Sequence, residues 1–333
     1  MKERNRKTIA GLVSFVLAAA VAAAAAVWLE DRFLGSATSA GRKTAAEYLN
    51  EMNTVYFGGE AYLPKKGIST LLVIGLDALG RRADSGSYNN SAQADLILLF
   101  VFDNKQKTYT ALQLDRDTMT DMDMLGLGGK KSGTRYAQLA LAHTYGNGLE
   151  ESGENTVRAV SNLLFGTRID GYVSLTMDAV KTVNDRIGGV TVALEEDYTE
   201  LDAGYTKGSV IRLEGDRALE FVRARSSMND PSNSARMKRQ KLYLRALFQE
   251  LSKTEMTDDD YAQMYDTLSP YMVTNCDANM VSGALEALLS YTCADIVSPE
   301  GEEVAGDEYM EFYADDEKLK DFIVKLFYTK LES

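Results

Sequence analysis

The feature that most constrains this chain is an apolar run of 22 residues, Thr8 to Leu29, without one charged side chain. As a helix rising about 1.5 Å per residue it is long enough to cross roughly 30 Å of hydrocarbon. Lys2, Arg4, Arg6 and Lys7 precede it, and Glu30, Asp31 and Arg32 restore polarity after it. A basic flank on the short side places residues 1–7 in the cytoplasm as a tail, 8–29 in the membrane, and everything that follows on the extracytoplasmic side. A cleaved signal peptide has a shorter apolar core of about 7–15 residues, so the length favours a retained signal-anchor and a single-pass cell-membrane protein. That compartment excludes ordinary ATP-dependent chemistry.

The net charge of −13 argues against nucleic-acid binding, which needs a basic field to release counterions from a phosphate backbone. Any anionic partner must therefore meet a local basic site. With 45% hydrophobic and 26% charged residues the chain has ample apolar surface for a core. Its two cysteines, Cys276 and Cys293, lack the CxxC spacing of a zinc or redox motif, and the sequence leaves a disulfide between them open.

Residues 30–67 read as an extracytoplasmic stalk with a short helix around Thr44 to Met52. The first strong strand is Thr70 to Leu76, followed by a polar loop from Gly80 to Gln93. Leu96 to Phe102 and Thr108 to Leu114 are strands joined by Asp103-Asn104-Lys105-Gln106, a spacer of hairpin length. Helical periods appear at Tyr136 to Tyr145 and, behind an Asn155 cap, at Thr156 to Phe165. A strand at Gly171 to Thr176 leads to a helix capped by Asp178 and stopped at Gly188-Gly189, and Val190 to Leu194 resumes as strand. Helices at about Glu214 to Val222, Ser234 to Leu251, Asn279 to Tyr291 and Asp316 to Leu331 complete an α/β pattern, a sheet covered on both faces. The main domain is expected over 68–255, with 256–333 as a helical extension packed on it.

Because Asp95 opens one hairpin strand and Arg116 follows its antiparallel partner, both lie at one end of the sheet. If the strand before them is also antiparallel, Asp77 joins them. Two carboxylates and an arginine at one edge suit a hard divalent cation beside a phosphate, although strand ends are ordinarily polar. From Arg212 to Arg245 nine basic residues face four acidic ones, a local +5 in an acidic chain. Arg223 and Arg225 frame an RxR, while Arg236, Arg239 and Gln240 fall on one helical face. Guanidinium forks match phosphate oxygens and stay charged when desolvated, so this cluster suits a pyrophosphate; a solvated helix face with Lys238 and Lys241 is the alternative. The single histidine, His143, sits in an apolar stretch and reads as structural. No G-x-S-x-G elbow, P-loop or G-x-G-x-x-G motif is present.

Leu72-Val73-Ile74-Gly75-Leu76-Asp77, Ala94-Asp95, Arg116-Asp117-Thr118, Ile187-Gly188-Gly189-Val190, Gly215-Asp216-Arg217-Ala218-Leu219, Arg223-Ala224-Arg225 and Arg236-Met237-Lys238-Arg239-Gln240 occur in that order. In order and spacing these motifs resemble the LytR-CpsA-Psr family from about Leu71 to Leu251. The resemblance implies a three-layer α/β/α sandwich with a mixed central sheet, preceded by one transmembrane helix. It also implies a phosphotransferase that moves a teichoic acid, capsule or related glycopolymer from a polyprenyl-pyrophosphate carrier to a peptidoglycan hydroxyl. Asp77 and Asp95 match the positions that hold Mg²⁺ (or Mn²⁺). Arg116, Asp117, Arg223 and Arg225 match the catalytic positions, and Arg116, Arg223, Arg225, Arg236, Arg239 and Gln240 the pyrophosphate site. Asp115 stands where the family usually has proline. A lipid-phosphate-binding regulatory protein and a polyprenyl-pyrophosphate hydrolase are the alternative readings.

The topology makes a direct prediction. The full chain should sediment with membranes, its body open to protease in intact wall-stripped cells; a chain free in the medium with a new N-terminus near Ala26 or Ala40 would contradict retention.

Overall fold

A computed structural model describes residues 54–331, except 89, 187, 226, 252 and 254–256. The expected tail, the membrane helix at 8–29 and the short helix around 44–52 lie outside them. Among the described residues no helix is long and apolar enough to cross a membrane.

The chain begins β1 (Val55–Phe57), β2 (Glu60–Pro64), β3 (Ile68–Leu76), β4 (Ala94–Asp103), β5 (Thr108–Leu114), β6 (Met119–Leu125) and β7 (Lys131–Gln138), then a 3-10 helix at Leu139–Thr144. Next come α1 (Glu150–Leu163), β8 (Gly171–Leu175), α2 (Met177–Arg186), β9 (Val190–Ala193), β10 (Val210–Leu213), α3 (Gly215–Arg223) and α4 (Asn233–Leu251). The C-terminal part adds α5 (Asp258–Leu268), β11 (Met272–Thr274), α6 (Ala278–Ser290), β12 (Thr292–Val297), β13 (Gly301–Ala305), β14 (Met310–Ala314), α7 (Asp316–Phe327) and β15 (Tyr328–Lys330).

The near-continuous apolar run of β3 is what a strand covered on both faces requires. It lies inside a six-stranded sheet of order β11-β8-β3-β4-β5-β12. β3 with β8 and β5 with β12 are parallel, and the other neighbours antiparallel, so the sheet is mixed. Leu71 and Val73 face a core shared with α2, α3, α4 and α6, while Leu72 and Ile74 face another shared with α1 and α7. Helices thus cover both faces, giving three layers. The β4–β5 hairpin turns where expected, the Asp103 carboxylate accepting from the backbone N–H groups of Lys105 and Gln106 at 3.1 and 2.9 Å. α2 ends on Gly188 at φ 72°, with the Gly189 N–H bonded to Asn184 O, a glycine C-cap closure.

Four segments differ from expectation. Tyr136–Gln138 belong to β7, paired with β6, which leaves only the six-residue 3-10 helix Leu139–Thr144 where a longer helix was expected. Asn155 does not cap α1, which starts five residues earlier. It is buried, and its Nδ2 donates to the Asp123 and Ala142 carbonyls at 2.9 and 2.8 Å, tying the helix to β6 and the 3-10 turn. Within the segment read as stalk, β1 and β2 form a three-stranded sheet with the C-terminal β15. The region after 256 is not only helical, because β11 and β12 form the two edges of the central sheet. Pairings between such distant strands leave no local period to read.

Cys276, just after β11, and Cys293, in β12, are both free. They sit at opposite edges of six strands spaced about 4.8 Å apart, so roughly 24 Å separates them where a disulfide tolerates about 7 Å between Cα atoms.

Gly153 of α1 packs on the fully buried ring of Tyr172 in β8, and an added Cβ would overlap that ring. Gly153→Val should therefore lower stability by about 2 kcal/mol or more. Gly133→Ala, with nothing within 4 Å of its added Cβ, should leave it nearly unchanged; paired thermal unfolding of the two variants checks this.

Candidate active site

Antiparallel pairing of β3 with β4 and of β4 with β5 brings the end of β3, the start of β4 and the end of β5 to one edge. Asp77, Asp95 and Arg116 meet there, as expected. A β-bulge refines the arrangement. Gly75 pairs with Leu96 and Leu76 with Ala94, so Asp95 is the extra residue. Ala94 and Ile97 point into the α1 side of the sheet. Leu96 packs against the opposite core, and Asp95 bonds to a side chain of α4 on that same side. In a regular strand Asp95 would share the face of Ile97; the bulge re-aims it. Gly75 permits this close pairing, since a Cβ there would lie 3.0 Å from Leu96 Cβ.

The edge carries a row of alternating charges. Arg116 bonds to the Asp95 carboxylate and to Gln93 Oε1, and its Nε lies 3.4 Å from Asp117 Oδ1. Arg236, on α4 and only 3% exposed, donates from Nη1 to Asp95 Oδ2 at 2.9 Å. Burial pushes the Arg236 guanidinium down from its ordinary pKa, and Asp95 pulls it back up. At the rim, Arg223 Nη2 reaches Asp77 Oδ1 at 2.9 Å, and Arg225 Nη2 stands 3.9 Å from Asp117 Oδ2. Burial raises the pKa of Asp117, opposed by Arg116 and reinforced by Asp115.

Buried neutral groups hold this row in place. Asn233 Oδ1 accepts from Arg236 Nε at 3.1 Å, and its Nδ2 donates to Asp115 Oδ1 at 2.6 Å. That same oxygen of Asp115 takes the Asp117 N–H at 2.7 Å. Gln138 of β7 donates to Asp117 Oδ1 at 2.9 Å. Sequence reasoning missed Gln93, Asn233 and Gln138. Asn233 was accessible, three residues before Arg236 and hence on its helical face; Gln138 arrives through a long-range hairpin and leaves no local signal.

Arg239 does not join the row. It is 1% exposed and donates to the main-chain carbonyls of Phe221 and Ala224, with its guanidinium 6.0 Å from the centroid of the Tyr198 ring. The last carbonyls of α3 lack intrahelical partners, and Arg239 satisfies them, fixing the segment that carries Arg223 and Arg225. Gln240 accepts from Gln113 at 2.9 Å and donates to Val222 O at 3.3 Å. His143 is fully buried, its Nδ1 2.9 Å from Ala92 O, and desolvation pushes its pKa down to about 3, so it is neutral and structural.

Beside the row opens a cleft of about 590 Å³, part of it open to solvent. Leu96, Leu175, Met177, Val180, Leu219 and Leu244 give it an apolar lining, and Asp95, Arg223, Arg236 and Gln240 contribute charge and polarity. Such a cavity takes a molecule that is apolar at one end and anionic at the other. Among the described residues no group of three or more His, Cys, Asp or Glu is placed to hold a metal ion. Asp77 and Asp95 are hard oxygen donors at one edge, each now satisfied by arginine. A two-carboxylate set of this kind fits Mg²⁺ or Mn²⁺ when phosphate and water supply the other ligands.

The LytR_cpsA_psr family model matches residues 33–323. TagT of Bacillus subtilis (strain 168), a polyisoprenyl-teichoic acid–peptidoglycan teichoic acid transferase, is 24% identical over 322 residues, 95% of this chain and 91% of TagT. TagV of the same strain is 28% identical over 194 residues, 56% of this chain and 45% of TagV. The crystal structure of B. subtilis TagV superposes with a TM-score of 0.59 at 24% identity, covering 79% of this chain and 96% of that one. TagT with bound octaprenyl pyrophosphate lipid gives 0.55 at 20% identity, over 78% and 88%. The superpositions show a shared fold.

The separate placement of Arg239 generates a test. Arg239→Met should cost about 1–3 kcal/mol of stability through unsatisfied buried carbonyls, and exposed Lys238→Met well under 1 kcal/mol; denaturant unfolding of the two variants measures the contrast.

Proposed function

The chain belongs to the LytR-CpsA-Psr family, and on that premise we propose that it transfers a glycopolymer from a polyprenyl-pyrophosphate carrier to a peptidoglycan hydroxyl, forming a phosphodiester. The observation that carries this reading is the Asp95 carboxylate shared by Arg116 and Arg236 beside an apolar cleft. The cleft suits a prenyl chain, and Arg116, Arg223, Arg225 and Arg236 suit the pyrophosphate. The transferase name of TagT and its complex with octaprenyl pyrophosphate support the assignment. The basic flank and apolar run before the domain support a membrane-anchored enzyme acting outside the cell.

In the proposed reaction the acceptor hydroxyl oxygen bonds to the phosphorus that carries the glycan. The bond from that phosphorus to the bridging oxygen breaks, and the carrier leaves as polyprenyl phosphate. Such transfers depend mainly on positioning and charge neutralisation, which the four arginines provide. The hydroxyl proton passes to Asp117. Burial makes this carboxylate a stronger base than an exposed one, and Gln138 fixes its orientation. When bound by Asp77 and Asp95, Mg²⁺ or Mn²⁺ would supply further neutralisation of the pyrophosphate.

Incubating the full chain with a lipid-linked glycan, Mg²⁺ and a peptidoglycan acceptor tests the reading. Transfer supports it; phosphate release without transfer indicates a hydrolase, and binding alone a regulatory protein. Arg116→Ala, Arg223→Ala or Arg236→Ala should reduce transfer by about 10- to 100-fold or more, since each removes a charged hydrogen bond to phosphate worth roughly 1.5–3 kcal/mol. Lys238→Ala should leave binding of the lipid pyrophosphate nearly unchanged. Because the ionised form of Asp117 acts and its pKa is raised, the rate should fall with acidification above the ordinary carboxylate range, and Asp117→Asn should remove that limb.

A further inference from the structure

A second cavity, about 980 Å³ with open solvent included, adjoins the same charged row and shares no lining residue with the apolar cleft. Asp95 and Arg236 line the cleft, while Asp117, Arg225 and Asn233 line this second space. Its far wall is the hairpin of β13 and β14. That hairpin is fastened directly to the catalytic segment: the Phe312 N–H donates to Asp117 O at 2.9 Å, and Gln138 Nε2 donates to Met310 O at 2.7 Å. A third cavity shares Asp115, Glu303 and Phe312 with the second, so the two form one groove running along the start of α4.

Next to the charged row the groove's chemistry is opposite to that of a phosphate site. There Asp115, Asp117, Asp230, Glu303 and Glu311 face a single cation, Arg225, so a polyanion is repelled, while in the far part Lys238 and Lys241 stand with Asp115 and Glu303 and the charges balance. Carboxylates accept hydrogen bonds from hydroxyl groups, and Phe312 offers an apolar surface. Gln113, 1% exposed, lines the far part of the groove; its Nε2 donates to Gln240, while its Oε1 accepts from no donor among the described residues. A buried acceptor left without a donor is costly unless a ligand supplies one.

We propose that this groove is the acceptor subsite and that it takes an uncharged, hydroxyl-rich glycan strand. The proposal rests on the transferase reading and adds to it the place and character of the second substrate. The anionic donor occupies the apolar cleft, the acceptor lies in the acidic groove, and the charged row between them holds the phosphorus that passes from one to the other. The C-terminal hairpin thereby becomes part of the site, with Glu303 and Phe312 as binding residues.

Chitohexaose as a neutral glycan probe and geranylgeranyl pyrophosphate as a donor probe, each titrated by calorimetry against the full chain in nanodiscs, separate the two sites. Wild type should bind both. Glu303→Trp, which places bulk at an exposed position lining both parts of the groove, and Phe312→Ala should each weaken chitohexaose by about tenfold or more while leaving geranylgeranyl pyrophosphate within about twofold. Wild type that ignores chitohexaose, variants that bind it normally, or parallel loss of both probes in the two variants would overturn the groove. Chitohexaose binding sensitive to both substitutions, with no affinity for geranylgeranyl pyrophosphate in wild type, would keep the groove as a glycan site and overturn the transferase reading instead.

Discussion

The Asp95 carboxylate, shared between Arg116 and Arg236, is the interaction on which the site depends. Two guanidinium groups side by side repel, and the nearly buried Arg236 carries a desolvation cost besides; one carboxylate between them offsets both. Asp95 can do this only because a bulge turns it onto the cleft side of the sheet, and the bulge is tolerated because position 75 is glycine. Asn233 and Asp115 then fix the far side of Arg236. This chain thus orients its buried arginine through a hydrogen-bonded relay from Asp115 to Asn233.

The basic segment from Arg212 to Arg245 divides its arginines by what surrounds them. Arg223, the last residue of α3, and Arg225, two residues beyond it, lie partly exposed, where a ligand can meet them from solvent. Arg236 comes from the buried side of α4. Arg239, one turn further along the same helix, points to the end of α3 and stabilises the turn that presents the exposed pair. A single run of charge thus contains ligand-facing groups and a positioning group, distinguished only by which neighbour the helix face meets.

That distinction marks the boundary of what the sequence reveals. The convergence of Asp77, Asp95 and Arg116 was legible because it needs only a hairpin and alternating strand direction, both encoded in short apolar runs and a polar spacer. The RxR and the face of Arg236 and Gln240 were legible from charge density and helical spacing. The role of Arg239 was not, because its periodicity is the same as that of its ligand-facing neighbours and only the docking of α4 against α3 separates them. Equally hidden were the edge strands β11 and β12, whose partners lie about 100 and more than 180 residues away. The bulge escaped because a one-residue slip leaves the apolar pattern of β4 intact by composition while exchanging faces.

The small sheet of β1, β2 and β15 has a mechanical consequence. Residues 62 to 64 are paired antiparallel with β15, with Tyr328 opposite Pro64 and Lys330 opposite Tyr62, and the Lys330 ammonium meets Glu60 at 3.1 Å. Any pull transmitted along the chain from its N-terminal side enters through this ladder before it reaches β3. The load is divided between the strand that leads into the central sheet and β15, so tension is borne by two segments distant in sequence and the charged edge after β3 is spared the first share of it.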